Sequence, residues 1–204
     1  MTLSLRERRR RQTEREIQAA TLDLARTEGG LDSVTVEAIA ERAGISPRTF
    51  FNYYPHKEAA VLGRPPGFPP EALETLRTGQ GALVADLKPF LEAHLAQIED
   101  DRSTLNAIFD LGRSSGRVKL LLDRFLMERT DDLSDCLSGR LPDLPPRRHR
   151  LLAEWALRLS GDAIGHWASG ESKDLSTALQ RAWEDHAAVA DMLFDSVPPR
   201  IRQP

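Results

Sequence analysis

The chain has 204 residues, 40% hydrophobic, 29% charged and 6% aromatic, with a net charge of −3. That is enough for one large or two small domains with a sizeable core, and it excludes a collagen-like, low-complexity or mainly disordered polymer. A single cysteine, Cys136, excludes an intrachain disulfide and a cysteine-rich zinc site, and suits a reducing compartment. No apolar run approaches the ~18 residues of a membrane span, and no apolar stretch of a secretory signal follows the N-terminal arginines. A cytoplasmic location and no membrane partner are the expectation. The charge is unevenly placed: residues 1–60 carry 10 Lys+Arg against 9 Asp+Glu, and residues 1–15 hold six arginines against two acids. A basic end on a mildly acidic body suggests that one part of the molecule meets a polyanion.

Helical periodicity runs through almost the whole sequence, and two-residue alternation is absent, so the fold is expected to be all-α. Leu5 to Thr27 aligns Ile17, Ala20, Thr21, Leu24 and Ala25 on one stripe and stops at Gly29-Gly30. Thr35 reads as an N-cap, with Val36, Ile39, Ala40 and Ala43 as the buried face and Gly44 as the stop. Ser46-Pro47 starts a short helix that Pro55 ends, and another runs from near His56 to about Leu62. Four prolines in the seven residues Arg64–Pro70 admit no helix. The domain boundary is therefore placed there, giving 1–62, a stiff connector at 63–70, and a helical region at 71–197. That region reads as helices near 71–78, 82–99, 102–114, 117–138, 147–168 and 173–195. The stripe of the fourth is Val118, Leu121, Leu122, Phe125 and Leu126, and Pro198 to Pro204 is expected to fray.

Two short helices joined by Ala43-Gly44-Ile45-Ser46 meet the demands of a helix-turn-helix. Glycine allows the sharp turn, Ile45 plugs the space between the helices, and the N-terminal end of the second helix is free to meet base edges in a major groove.

The continuation Thr49-Phe50-Phe51-Asn52-Tyr53-Tyr54-Pro55-His56-Lys57-Glu58 resembles the signature of the tetracycline-repressor (TetR) family of transcriptional regulators, over roughly residues 10–62. Three positions depart from the family pattern. Phe51 replaces the usual tyrosine, Tyr53 stands where histidine or tyrosine is common, and His56 replaces the usual serine. The resemblance implies a ligand-responsive DNA-binding regulator and no enzyme. By base rate it is a repressor that holds a palindromic operator as a dimer and is released by a small, largely apolar molecule.

The resemblance also assigns the DNA-binding residues. Thr35 would hold a phosphate. Arg48 would bridge O6 and N7 of guanine, for about 1–3 kcal/mol of discrimination. Ser46 starts the recognition helix, and Pro47 and Thr49 would meet thymine methyls or nearby edges. Phe51 would make an apolar contact, Asn52 would read a base or hold the backbone, Tyr53 would hydrogen-bond a phosphate, and Lys57 would pair with one. Phe50 and Tyr54 point the other way, into the core. The arginines at 6 and 8–11 would form an arm ahead of the first helix, laid on phosphates or in the minor groove, and disordered without DNA.

In that family the C-terminal bundle dimerises and senses. The two long last helices would pair across a two-fold axis, helped by alanines 178, 182, 187, 188 and 190 and by Gly161 and Gly165. Phe90, His94, Phe109, Leu122, Phe125, Trp155 and Trp167 are the candidate lining of an apolar effector cavity, with Arg113 and His166 as polar anchors. The Phe-Phe-Asn-Tyr-Tyr form is similar to a subgroup associated with acyl coenzyme A and lipid-related metabolism, which points to a lipid-like or acyl coenzyme A effector. No cofactor or metal is expected, because phosphate-binding Gly-Lys-Ser loops, His-Glu-x-x-His pairs and Gly-x-Ser-x-Gly elbows are missing. Asp131, Asp132 and Asp135 read as a solvated face. The competing class is a helical protein-interaction adaptor without sequence-specific DNA binding, which a salt titration separates from a DNA binder.

Overall fold

The computed structural model describes residues 4–98 and 102–194; the segment 198–204, expected to fray, lies outside them. Among the described residues, all regular elements are helical. They are α1 (Leu5–Thr27), a 3-10 turn (Leu31–Ser33), α2 (Val36–Arg42), α3 (Pro47–Phe51), α4 (Lys57–Leu62), α5 (Pro70–Thr78), α6 (Leu83–Leu95), α7 (Arg102–Ser114), α8 (Gly116–Arg140), α9 (Pro146–Ala168) and α10 (Leu175–Phe194). The all-α class follows the periodicity.

The chain divides into two compact units, Met1–Pro66 with Asp101–Glu128, and Gly67–Asp100 with Arg129–Pro204. This division differs from the expected scheme of 1–62, 63–70 and 71–197. Helix α7 and the stretch of α8 up to Glu128 group with the N-terminal helices. The reason lies in the core of the first unit, where Ile17, Ile39, Phe50, Ala60 and Val61 share one buried cluster with Ile108 and Leu111 of α7 and Val118 of α8. One long helix and four short helical segments expose more apolar surface than they can cover among themselves, and α7 and α8 cover the remainder. Arg117 adds a polar tie, its guanidinium 3.5 Å from the buried carboxylate of Glu58 on α4.

Local chemistry starts α1, α2, α3 and α4. Ser4 and Glu7 form a reciprocal capping box at α1, with both backbone bonds made. The arginines at 6 and 8–11 are therefore inside α1, a correction to the expected disordered arm: the box nucleates the helix ahead of them. The Ala38 and Thr49 amides donate to the hydroxyls of Thr35 and Ser46, at 3.1 Å in each case. His56 caps α4 through Nδ1, which accepts from the Ala59 amide at 3.1 Å. Between α2 and α3, Gly44 sits at φ +67°, where a side chain would be strained, and the Ile45 amide donates back to the Ala40 carbonyl at 2.9 Å.

In the second unit, Leu76, Leu87, Phe90, Leu91, Leu95, Leu133, Leu137 and Leu159 are buried with the small Ala153, Ala156 and Ala163. Arg140 binds the α5–α6 loop, donating to the carbonyls of Gly79 and Gly81 and to the Asp86 carboxylate. Helix α6 stops at Leu95, short of the expected 99; Gln97 turns away and its side-chain amide donates to the Gly67 carbonyl at 3.0 Å. Ala178 and Ala182 are fully buried within the unit, so they serve the intrachain packing of α10, whereas Gly161, Ala187 and Ala188 are exposed. The α8 stripe is also less buried than its periodicity suggests: Val118 is fully buried, Leu121, Leu122 and Phe125 are half-buried, and Leu126 is exposed. Asp131 and Asp132 are occupied by ion pairs with Arg150 (2.6 Å) and Arg129 (2.9 Å).

Candidate nucleic-acid interface

Helix α3 has two faces of opposite character. Phe50 is fully buried, with its ring 5.5 Å from Phe51 and 6.1 Å from Tyr54 between centroids. Tyr54 is buried too and donates its hydroxyl to the Glu14 carbonyl at 3.3 Å. Burial, and then the nearby Glu14 charge, push this phenol up to about 12, so it remains a neutral donor. Residues 50 and 54 thus bolt α3 and the turn after it to α1. Ser46, Pro47, Arg48, Phe51 and Asn52 are exposed on the other side, and Thr49 and Tyr53 are half-buried at its edge. Phe51 stands out: its ring meets Phe50 edge-on yet is 56% exposed beside that fully buried neighbour.

The polar groups are held by the backbone while keeping capacity to spare. The Thr35 hydroxyl accepts from the Ala38 amide, which leaves its own proton to donate outward. Ser46 and Thr49 also share a hydroxyl–hydroxyl bond at 2.8 Å. Lys57 is more engaged than a phosphate contact requires: its ammonium donates to the carbonyls of Val34 (2.7 Å) and Asp32 (3.2 Å), leaving one of three protons. Neither bond has a local sequence signal, since the partners lie more than twenty positions away. The Arg10 guanidinium lies 5.8 Å from the Tyr53 ring centroid, a further contact that sequence reasoning missed.

Residues 19–62 match the family model of the bacterial regulatory proteins of the tetR family. This segment is a tetR-family domain. It spans α1 from Ala19 onward and α2 to α4, the elements that form and support the helix-turn-helix. The matched family is one of bacterial regulatory proteins. Two solved structures share its wider fold. A protein assigned to the TetR-family transcriptional regulators of Rhodococcus sp. is 19% identical, with a TM-score of 0.51 over 85% of this chain and 97% of that one. The transcriptional regulator FadR of Bacillus subtilis, in complex with stearoyl-CoA, is 18% identical, with a TM-score of 0.51 over 83% and 95%. No curated protein sequence matches the chain.

Beyond the tetR-family domain, the nine candidate effector residues divide between the units. Phe109, Arg113, Leu122 and Phe125 lie in the first, and Phe90, His94, Trp155, His166 and Trp167 in the second. Arg113 is exposed and paired with Asp110, and Leu122 packs on the first unit's core. In the second unit, Phe90 and His94 meet Phe68, at ring centroid distances of 5.0 and 4.8 Å. Trp155 instead meets Trp183 (5.4 Å) and His186 (6.0 Å), His166 bonds Glu171 at 2.8 Å, and Trp167 is buried.

His94 carries a consequence for stability. It is 8% exposed, and its Nδ1 has no hydrogen-bond partner. Burial, then the charge of Arg129, hold its pKa down from 6.5 to about 4. Above pH 6.5 the ring is mostly neutral in both the folded and unfolded chain and contributes no pH dependence. Between pH 6.5 and about 4 the unfolded chain takes up a proton that the folded chain refuses, so stability falls with falling pH, by up to about 3 kcal/mol. Urea denaturation at pH 7.5 and 4.5 is expected to show this loss, and His94→Leu to remove that share of it. An equal pH dependence in the variant would refute the assignment.

Proposed function

We propose that the protein is a dimeric repressor that binds a palindromic operator through α3 of each copy and releases it when a small, largely apolar effector binds. The observation that carries the DNA half is the exposed Ser46, Pro47, Arg48, Phe51 and Asn52 on a helix whose other face is locked by Phe50 and Tyr54. Arg48 is the base reader: its fork suits guanine O6 and N7, and among the described residues none is paired with it. Thr35 and Tyr53 hold phosphates, and Lys57 adds a third contact with its remaining proton.

Dimerisation through α9 and α10 is supported by Leu151, Val189, Met192 and Leu193, each more than half exposed. Around Gly161 and Gly165 there is also open space. For the effector, stearoyl-CoA in the Bacillus subtilis FadR complex directs the choice of an acyl coenzyme A as first probe. The effector acts only so far as it binds the released arrangement more tightly than the DNA-competent one.

Selection from a random duplex pool is expected to enrich an inverted repeat. Arg48→Ala should then lose about 1–3 kcal/mol of discrimination at one base position of each half-site, with random-duplex binding nearly kept. Stearoyl-CoA should release the selected duplex. Failure to enrich any sequence would favour the adaptor reading.

A further inference from the structure

Glu14 lies on α1 with its side chain 9% exposed, and one of its carboxylate oxygens faces two arginines. Arg10 Nε donates to that oxygen at 3.2 Å, and Arg64 stands 3.5 Å from it. The Arg10 guanidinium also lies 5.8 Å from the centroid of the Tyr53 ring. Arg10 and Tyr53 both line a cleft of about 650 Å³ beside α1 and α3. A chain of contacts therefore runs from a buried carboxylate, through Arg10, to a half-buried ring at the edge of the exposed face of α3. Among the described residues, no hydrogen bond holds the Tyr53 hydroxyl. The direction of that ring is set by its packing on the first unit's core and by Arg10.

Helix stability does not account for this carboxylate. An arginine four positions ahead of a glutamate is the weaker order for such a pair, and Arg10 is 56% exposed, so the pair adds little to α1. A negative charge near residues that face a polyanion also repels it. A glutamine would accept the same bond without that repulsion. What the charge adds is strength: a charge-assisted bond is roughly twice as strong as a neutral one and holds a long, flexible side chain more firmly. We infer that Glu14 is a positioning residue: its carboxylate fixes Arg10 against the Tyr53 ring and so directs the Tyr53 hydroxyl toward a DNA phosphate. Arg10 is then a strut committed inward, in contrast to the phosphate-laid arm that the sequence suggests for arginines 6 and 8–11. This role rests on the proposed phosphate contact of Tyr53 and supplies what orients it.

The test uses the full chain and a random-sequence duplex, read by fluorescence anisotropy over about 50 to 200 mM salt, with urea denaturation of every variant. Glu14→Gln removes an anion and keeps the shape. Electrostatics alone would tighten binding and, should the released Arg10 turn to a phosphate, steepen the log–log salt slope by up to about 0.9. Positioning gives the opposite result: affinity falls about three- to tenfold, as for one lost hydrogen bond, at unchanged slope. Arg10→Lys keeps the cation without the planar fork, and should reproduce that loss. In a Tyr53→Phe background, which lacks the hydroxyl, Glu14→Gln should cost nothing further, whereas a general loss of folding would lower affinity in both backgrounds. Tighter or unchanged binding by Glu14→Gln, wild-type binding by Arg10→Lys, or additive losses with Tyr53→Phe overturns the positioning role and leaves the proposed function standing. Wild-type binding by Tyr53→Phe overturns it together with the phosphate contact of Tyr53. A wild-type chain that binds no duplex at any salt overturns both it and the proposed function.

Discussion

A fragment that stops at Pro66 is expected to show no cooperative unfolding transition, although it contains every residue of the matched family segment. In the full chain the helix-turn-helix shares its core with Ile108, Leu111 and Val118, exposed by only 8%, 9% and 0%. Truncating one such side chain typically costs about 1–5 kcal/mol. Removing three, together with the backbone that carries them and the Arg117–Glu58 tie, exceeds the low end of the 5–15 kcal/mol that holds a whole domain together, even allowing for non-additivity. Circular dichroism over a thermal ramp measures this directly. Joining Pro66 to Arg102 by a flexible linker, with the chain continued to Glu128, should restore the transition. A sharp melt from the short fragment, at the temperature of the joined chain, would show that α7 and α8 are dispensable to it.

Phe50→Ala and Phe51→Ala, on neighbouring residues of one type, should produce opposite phenotypes. Phe50 is fully buried against Phe51, Tyr54 and the first unit's core, so its removal leaves a cavity and is expected to cost about 3–5 kcal/mol. DNA binding then falls because fewer molecules are folded, and ligands of the folded state partly restore it by mass action. Phe51 is 56% exposed, and its truncation should change stability by no more than about 0.5 kcal/mol. Its loss is expected in DNA affinity instead, at unchanged salt slope, because an apolar contact releases no counterion. Urea titration and anisotropy on both variants separate the two effects. Equal destabilisation by both would mean that the exposed ring has a packing role.

The helix starts of the N-terminal region were legible because their causes are local. The hydroxyls of Thr35 and Ser46 cap helices by accepting from amides three residues on, Pro47 suits the first helical position, and Gly44 turns the chain within its own neighbourhood. Assigning Phe50 inward and Phe51 outward needed only the angular step of a helix and the aromatic spacing to Tyr54. The same local rules carried the resemblance over residues 10–62, and the family model matches 19–62.

What the sequence by itself determined is therefore the helical class, the positions of most helices and the residues that α3 presents outward, since each depends on interactions within about four positions. Tertiary structure alone decided which helices share a core. Val118 carries the same 3.6-residue stripe whether it covers α1 to α4 or the later helices, and periodicity records that a face is buried without recording its partner. It also decided that Lys57 gives two of its three protons to the carbonyls of Val34 and Asp32. The placing of Arg6, Arg9 and Arg10 opposite Thr49, Asn52 and Tyr53 belongs to the same class. These contacts join positions from about twenty to ninety residues apart; closing such loops is an entropic cost met by the whole core at once, so no local motif encodes them.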